Sequence, residues 1–173
     1  MKKLLSMLLV LAALASVAFA QATPSLTTTA VGTASGLASG GLDTLAADYR
    51  ADYTVKAGDT LKDISMAQYG DQRYWPMLYM TNKGVVANPE LLEPGMVLKI
   101  YELPFDPKAP GALSLTVIVE TYLQTYADYV KLGASWVDQR RWVLLQAATF
   151  DKDFFAKNEA RIDAADLAWY KAR

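Results

Sequence analysis

Hydrophobic and polar positions change their period several times along the chain, and each change marks an element. Tyr53 and Val55 alternate with Thr54 and Lys56, the two-residue period of a short strand. Gly58 fits a tight turn that needs unusual backbone angles. Asp59 or Thr60 caps the helix that follows, and Thr60 with Asp63 three residues on has the spacing of a capping box, with Asp in place of the better Glu. Leu61, Ile64 and Met66 or Ala67 supply the apolar face of this helix, and Gly70 stops it. Asp71 can cap a second helix, in which Pro76 falls near the first turns, where proline costs least. Trp75, Leu78 and Tyr79 recur at helical spacing until Asn82 and Gly84. A loop through Asn88 and Pro89 reaches Pro94-Gly95, a turn with proline and glycine at its two central positions. Met96, Leu98 and Ile100 then alternate with Val97 and Lys99 as a closing strand.

Pro104, Pro107, Pro110 and Gly111 mark a boundary, beyond which the pattern is helical. Ile118, Tyr122, Tyr126 and Tyr129 lie near one face of a helix, although the β-branched stretch 113–119 leaves a strand start open. After the break at Gly133, Ser135 can cap a helix carrying Trp136, Trp142, Val143 and Leu145. Asp151 or Asp153 can begin a turn with Phe154 and Phe155, and a last helix runs through Ile162, Leu167 and Trp169. The tyrosines and tryptophans of this region are expected in the core of a small helical bundle, with a second glycan or protein surface made from Trp136, Trp142 and Trp169 as the alternative. Its carboxylates, Glu120, Asp128, Asp138, Asp151, Asp153, Glu159, Asp163 and Asp166, are interleaved with Arg140, Arg141, Lys152, Lys157 and Arg161 and read as a solvated face.

The N-terminal segment contributes to neither core. Residues 1–20 carry Lys2 and Lys3, an apolar run and a terminal Ala18-Phe19-Ala20, the pattern of a signal peptide with its cleavage site. The apolar run is shorter than the ~20 residues a membrane span needs, and no membrane span is expected after cleavage. Residues 21–50 are rich in Ala, Thr, Ser and Gly and read as a flexible tether, with a possible helical turn over 43–50.

Composition then removes whole classes of chemistry. The chain contains no Cys, so there is no disulfide framework, no thiol nucleophile and no cysteine for lipid attachment. It contains no His, which excludes Ser-His and Cys-His hydrolysis and histidine-based zinc hydrolases. Loss of Lys2 and Lys3 would take the formal charge from -1 to -3. A mildly acidic chain without a basic cluster is not a nucleic-acid binder. Catalysis by a carboxylate pair is the remaining enzymatic route, and helically spaced, salt-paired carboxylates do not suggest it. No cofactor is implied.

The ordered set Tyr53, Val55, Gly58-Asp59-Thr60-Leu61, Ile64, Tyr69-Gly70-Asp71, Trp75, Tyr79, Asn82, Asn88-Pro89, Leu92, Pro94-Gly95, Leu98 and Ile100 resembles a LysM domain. LysM domains are small carbohydrate-binding modules that grip the N-acetylglucosamine of peptidoglycan and chitin. The resemblance covers residues 53–104 and implies an α+β architecture: a βααβ domain over 51–104, followed by an all-α helical domain over 111–173. It also implies a shallow sugar groove between Gly58, Asp59, Thr60 and Leu61 on one side and Asn88, Pro89, Glu90, Leu91 and Leu92 on the other. The chemistry is consistent, because backbone donors at a helix N-terminus and loop carbonyls pair with an acetamide and hydroxyls, and leucines cover its methyl. Asp59 and Thr60 also have a purely structural role as caps, and Trp75 and Tyr79 as core.

The expectation is therefore an exported, periplasmic or wall-associated protein that binds peptidoglycan glycan strands without catalysis, with the helical domain free to engage a protein partner. Two alternatives stand beside it. One is a structural, assembly or ion-sensing module of LysM type that binds a protein rather than glycan. The other is a wall hydrolase or a hydrolase activator.

Overall fold

Strand β1 (Tyr49–Thr54) pairs antiparallel with β2 (Val97–Tyr101), setting Tyr53 opposite Leu98 and Thr54 opposite Val97, with a register shift between Tyr49 and Ala51. The computed structural model of the chain describes residues 44–173; the expected signal peptide and the tether up to residue 43 lie outside the described residues. Of the helical turn expected over 43–50, a 3-10 turn is present at Thr44–Ala46, and Tyr49 and Arg50 already belong to the strand. Between the strands run α1 (Leu61–Tyr69), a 3-10 turn (Gln72–Tyr74) and α2 (Trp75–Thr81). After β2 come α3 (Ala112–Leu132), a 3-10 turn (Ala134–Trp136), α4 (Val137–Ala148), α5 (Phe154–Asn158) and α6 (Ala164–Lys171). The described residues are thus mixed α+β, six helices with one two-stranded antiparallel sheet. No helix among the described residues is long and apolar enough to cross a membrane.

The first helix starts and stops where its local chemistry dictates. Thr60 is extended, and its hydroxyl accepts from the Asp63 backbone N–H and donates to the Asp63 carboxylate at 2.6 Å. Gly70 ends α1 in the left-handed region (φ 76°) and donates its N–H to the Met66 carbonyl. Leu61 and Ile64 are buried as the pattern requires, but the third inward residue is Ser65 rather than Met66 or Ala67. Ser65 donates to the Asp71 carbonyl at 2.8 Å, so the helix rolls its small polar residue toward the next turn and leaves Met66 exposed. Asp71 caps the 3-10 turn before α2, accepting from the Arg73 N–H, and Pro76 occupies the first turn of α2.

Asn82 then does more than end α2. Its buried amide donates to the Leu78 and Lys99 carbonyls and accepts the Lys99 N–H at 2.7 Å, fastening α2 to β2. The Glu93 carbonyl accepts from the Met96 N–H across Pro94-Gly95, with Gly95 at φ 93°, the sign a type II turn demands at that position.

The β-branched start of α3 is helical: packing on α2 overrides the weak strand preference of Val117, Ile118 and Val119. Ile118, Tyr122, Tyr126 and Tyr129 are all buried, and they share one hydrophobic core with Tyr74, Trp75, Leu78 and Tyr79. Polar anchors cross the same boundary. Tyr122 donates to the Arg73 carbonyl at 2.6 Å, the Trp75 indole N–H to Gln146 at 3.0 Å, and Tyr79 to Asp128 at 3.3 Å.

Two expectations for the helical region change. Trp142 is not core: it is 62% exposed, and the inward face of α4 is Val143, Leu144 and Ala147. The carboxylates are not uniformly solvated either. Glu120, Asp128 and Asp166 are buried and paired, with Arg161, with Lys83 and Lys131, and with Arg140 and Arg141 respectively. Spacing places a carboxylate on a helix face but does not reveal which cations a neighbouring helix brings to it.

Candidate binding groove

The turn entering α1 is rigid before any ligand is considered. The Lys56 carbonyl accepts from the Asp59 N–H across Ala57-Gly58, and Gly58 takes φ 86°. The Asp59 carboxylate closes the turn from the other side, accepting from the Lys56 N–H and the Tyr53 hydroxyl, both at 2.8 Å. These two donors, the backbone one first, hold the Asp59 carboxyl below its ordinary range, and the same contact raises the Tyr53 hydroxyl. Asp59 therefore shapes the wall with both its strongest contacts directed into the protein.

The facing loop is organised in the same way. The Asn88 side-chain oxygen accepts from the Glu90 N–H at 3.0 Å, an Asx turn, while its carbonyl accepts from the Leu91 N–H. Pro89 is buried, Leu92 half-buried and Leu91 59% exposed. The Glu90 carboxylate reaches the other way and accepts from the Tyr129 hydroxyl on α3. Burial, reinforced by this carboxylate, pushes the Tyr129 hydroxyl far above the ordinary tyrosine range, so it remains a donor.

Turn and loop converge on a recess of about 80 Å³ lined by Thr60, Leu61, Lys62, Trp75, Pro89 and Glu90. Four of the nine residues singled out from sequence, Thr60, Leu61, Pro89 and Glu90, meet at its surface. Gly58, Asp59, Asn88, Leu91 and Leu92 belong to its two walls without lining it. Lys62 and Trp75 line it in addition. Lys62 is the second residue of α1 and so faces the mouth of a groove at that helix's N-terminus, a position the helical reading contained. Trp75 was weighed in sequence as core; it is 3% exposed and serves as both core and wall.

A second cavity of about 320 Å³ adjoins the recess, bordered by the same Lys62, Trp75 and Glu90 and, from the C-terminal helices, by Tyr129, Asp138, Gln139, Trp142, Val143 and Gln146. Of the second surface considered from sequence, Trp142 lines this cavity while Trp136 and Trp169 do not; its continuity with Lys62, Trp75 and Glu90 joins residues far apart in the chain and leaves no periodic mark. Among the described residues, no group of three or more Asp or Glu side chains is placed to hold a metal ion.

No family model matches the chain, and no solved structure matches it significantly. Among curated proteins, the potassium binding protein Kbp of Escherichia coli O6:H1 is 42% identical over 50 residues. The matched stretch is 29% of this chain and 34% of that protein, so the match spans about a third of the relative's length.

Proposed function

We propose that the chain is a non-catalytic binder of N-acetylglucosamine-containing glycan, exported to the cell wall and held there by a LysM-type βααβ unit. The observation that carries this reading is the recess between the α1 N-terminus and the 88–92 loop. It is small, about 80 Å³, and lies between Leu61 and Pro89. This suits the N-acetyl arm of a sugar rather than a whole ring. Leu61 and Pro89 supply apolar contact for the methyl, and the first turn of α1 supplies backbone N–H groups without helical partners. The order strand, helix, helix, strand supports the same assignment.

The test is co-sedimentation with purified peptidoglycan sacculi, with soluble N-acetylglucosamine oligomers as competitor. The chain is expected to pellet with the sacculi and to be released by the oligomers, and backbone amides of 58–62 and 88–92 are expected to shift in NMR titration. A chain that stays in the supernatant and shows no shifts would sink the glycan reading.

The similarity to Kbp favours one second reading, a potassium-responsive module. Potassium is well served by backbone carbonyls, so the lack of a carboxylate cluster among the described residues does not oppose it. A melting temperature raised by KCl but not by NaCl at equal ionic strength would support it, and equal effects of the two salts would remove it.

A further inference from the structure

We infer that the C-terminal helices are part of the glycan site, and that Trp142 is a stacking platform for a second sugar next to the one whose acetamide enters the recess. The inference rests on the glycan reading above and adds to it a subsite on a different part of the chain.

Three observations converge. The recess is the smaller of two neighbouring spaces, and the larger, the 320 Å³ cavity, shares Lys62, Trp75 and Glu90 with it. The ring after the one whose N-acetyl arm enters the recess occupies that cavity. Second, Trp142 is 62% exposed at the border of this cavity, on a helix whose other large apolar residues turn inward. A lone exposed aromatic on a convex surface is unremarkable. One at the rim of a concave polar cavity has the geometry that covers the C–H face of a pyranose. Third, the rest of the lining is hydrogen-bonding chemistry for sugar hydroxyls. Asp138 and Glu90 present carboxylate acceptors, Lys62 an ammonium, and Gln139 and Gln146 carboxamides. Gln146 spends its oxygen on the Trp75 indole and Glu90 one oxygen on Tyr129. The NH2 group of Gln146 and the second oxygen of Glu90 are what remain for a ligand, and both side chains are held in place by bonds that also dock the helices.

The occupant implied is one continuous strand of β-linked N-acetyl sugars, at least two rings long. Its first acetamide lies between Thr60, Leu61 and Pro89, and its next ring lies against Trp142. The helical region then lengthens the binding site itself.

Calorimetric titration of the chain with mono-, tri- and pentasaccharides of N-acetylglucosamine separates the possibilities. Wild type is expected to gain affinity with length. Trp142→Ala is expected to lose about tenfold for the trisaccharide, about 1.4 kcal/mol, and to leave monosaccharide binding unchanged. Trp142→Phe recovers part of the loss, because a smaller ring still stacks. Asp138→Ala, an exposed position on the same rim, gives a smaller loss of the same kind. Trp142 and Asp138 are exposed and lie outside the core, so unchanged melting curves are expected for all three variants. If wild type binds oligosaccharides and Trp142→Ala binds every length equally well, the platform is overturned while the recess reading stands. If wild type binds none of them, the glycan reading fails and the platform with it.

Discussion

Asp166 is the residue at which most of the helical region's electrostatics meet. It is fully buried, accepts from the Tyr126 hydroxyl at 2.9 Å, and is bracketed by Arg140 and Arg141. Arg140 Nε lies 2.6 Å from one carboxylate oxygen but without hydrogen-bond geometry, so this contact is charge pairing. Burial alone would raise the Asp166 carboxyl; the bonds from Arg140, Arg141 and Tyr126 outweigh it and hold the group below its ordinary range. Removing one partner of a buried ion cluster strands the other charges. Asp166→Ala is therefore expected to cost about 3 kcal/mol, the low end for such a loss because both arginines retain some access to water. Urea denaturation checks the value, and a cost within about 0.5 kcal/mol, the usual range for surface substitutions, would show that the cluster contributes little.

Among elements, α1 is the one whose ends are most fully specified, and it is also the one that presents the groove. Its cap serves both purposes. Thr60 satisfies an N–H of the first turn and forms the lip of the recess. Thr60→Ala is expected to lower stability by about 1 kcal/mol, read as a shift in thermal or urea midpoint, whereas Thr60→Ser restores it. α4 behaves differently. Its sequence has large apolar residues at several positions, and only contact with α3 decides that Val143 and Leu144 face inward while Trp142 does not. The carboxylates of α3 follow the same logic: Glu120 meets Arg161 at 2.6 Å across 41 residues of chain, a pairing no local spacing encodes.

For the whole molecule, residues 44–173 fall within one compact unit with a shared core. Tyr74 donates to the Pro107 carbonyl, which anchors the segment joining β2 to α3, and Tyr122 donates to the Arg73 carbonyl, which ties α3 to the turn before α2. A single cooperative transition is expected, with far-UV circular dichroism and tryptophan fluorescence superimposing; two separated transitions would show that the βααβ unit and the helices unfold independently. The acid limb of stability follows from the buried carboxylates. In Glu120, Asp128 and Asp166, burial pushes the carboxyl up, and their cationic partners more than reverse it, so all three titrate below their ordinary values. Groups depressed in the folded state contribute stability in full above the unfolded pKa of ~4. That stability is lost as pH falls through their lower folded values. Denaturation midpoints should thus be level from neutrality to about pH 5 and fall steeply below about pH 4. A midpoint unchanged at pH 3 would contradict the ion-pair account.

The local chemistry of the N-terminal half was written in the chain. Thr60, Gly70, Asp71 and the Pro94-Gly95 turn fix helix ends and turns through backbone geometry and short-range hydrogen bonds, so their spacing located α1 and β2 to within a residue, while the first turn expected of α2 after Asp71 is a 3-10 turn. The two lips of the recess were named through the LysM resemblance; the Thr60 cap was also legible locally, whereas the Asx turn at Asn88 is seen only in the structure. Tertiary structure decided what lies between and beyond them. It turned Ser65 inward and Met66 outward, buried Asp128 and Asp166 beside cations from other elements, and set Trp142 and Trp75 on the lining of one cavity. Periodicity reports only that one face of a helix is apolar; which neighbour that face meets, and which polar groups are carried into the contact, is set by packing between segments far apart in sequence.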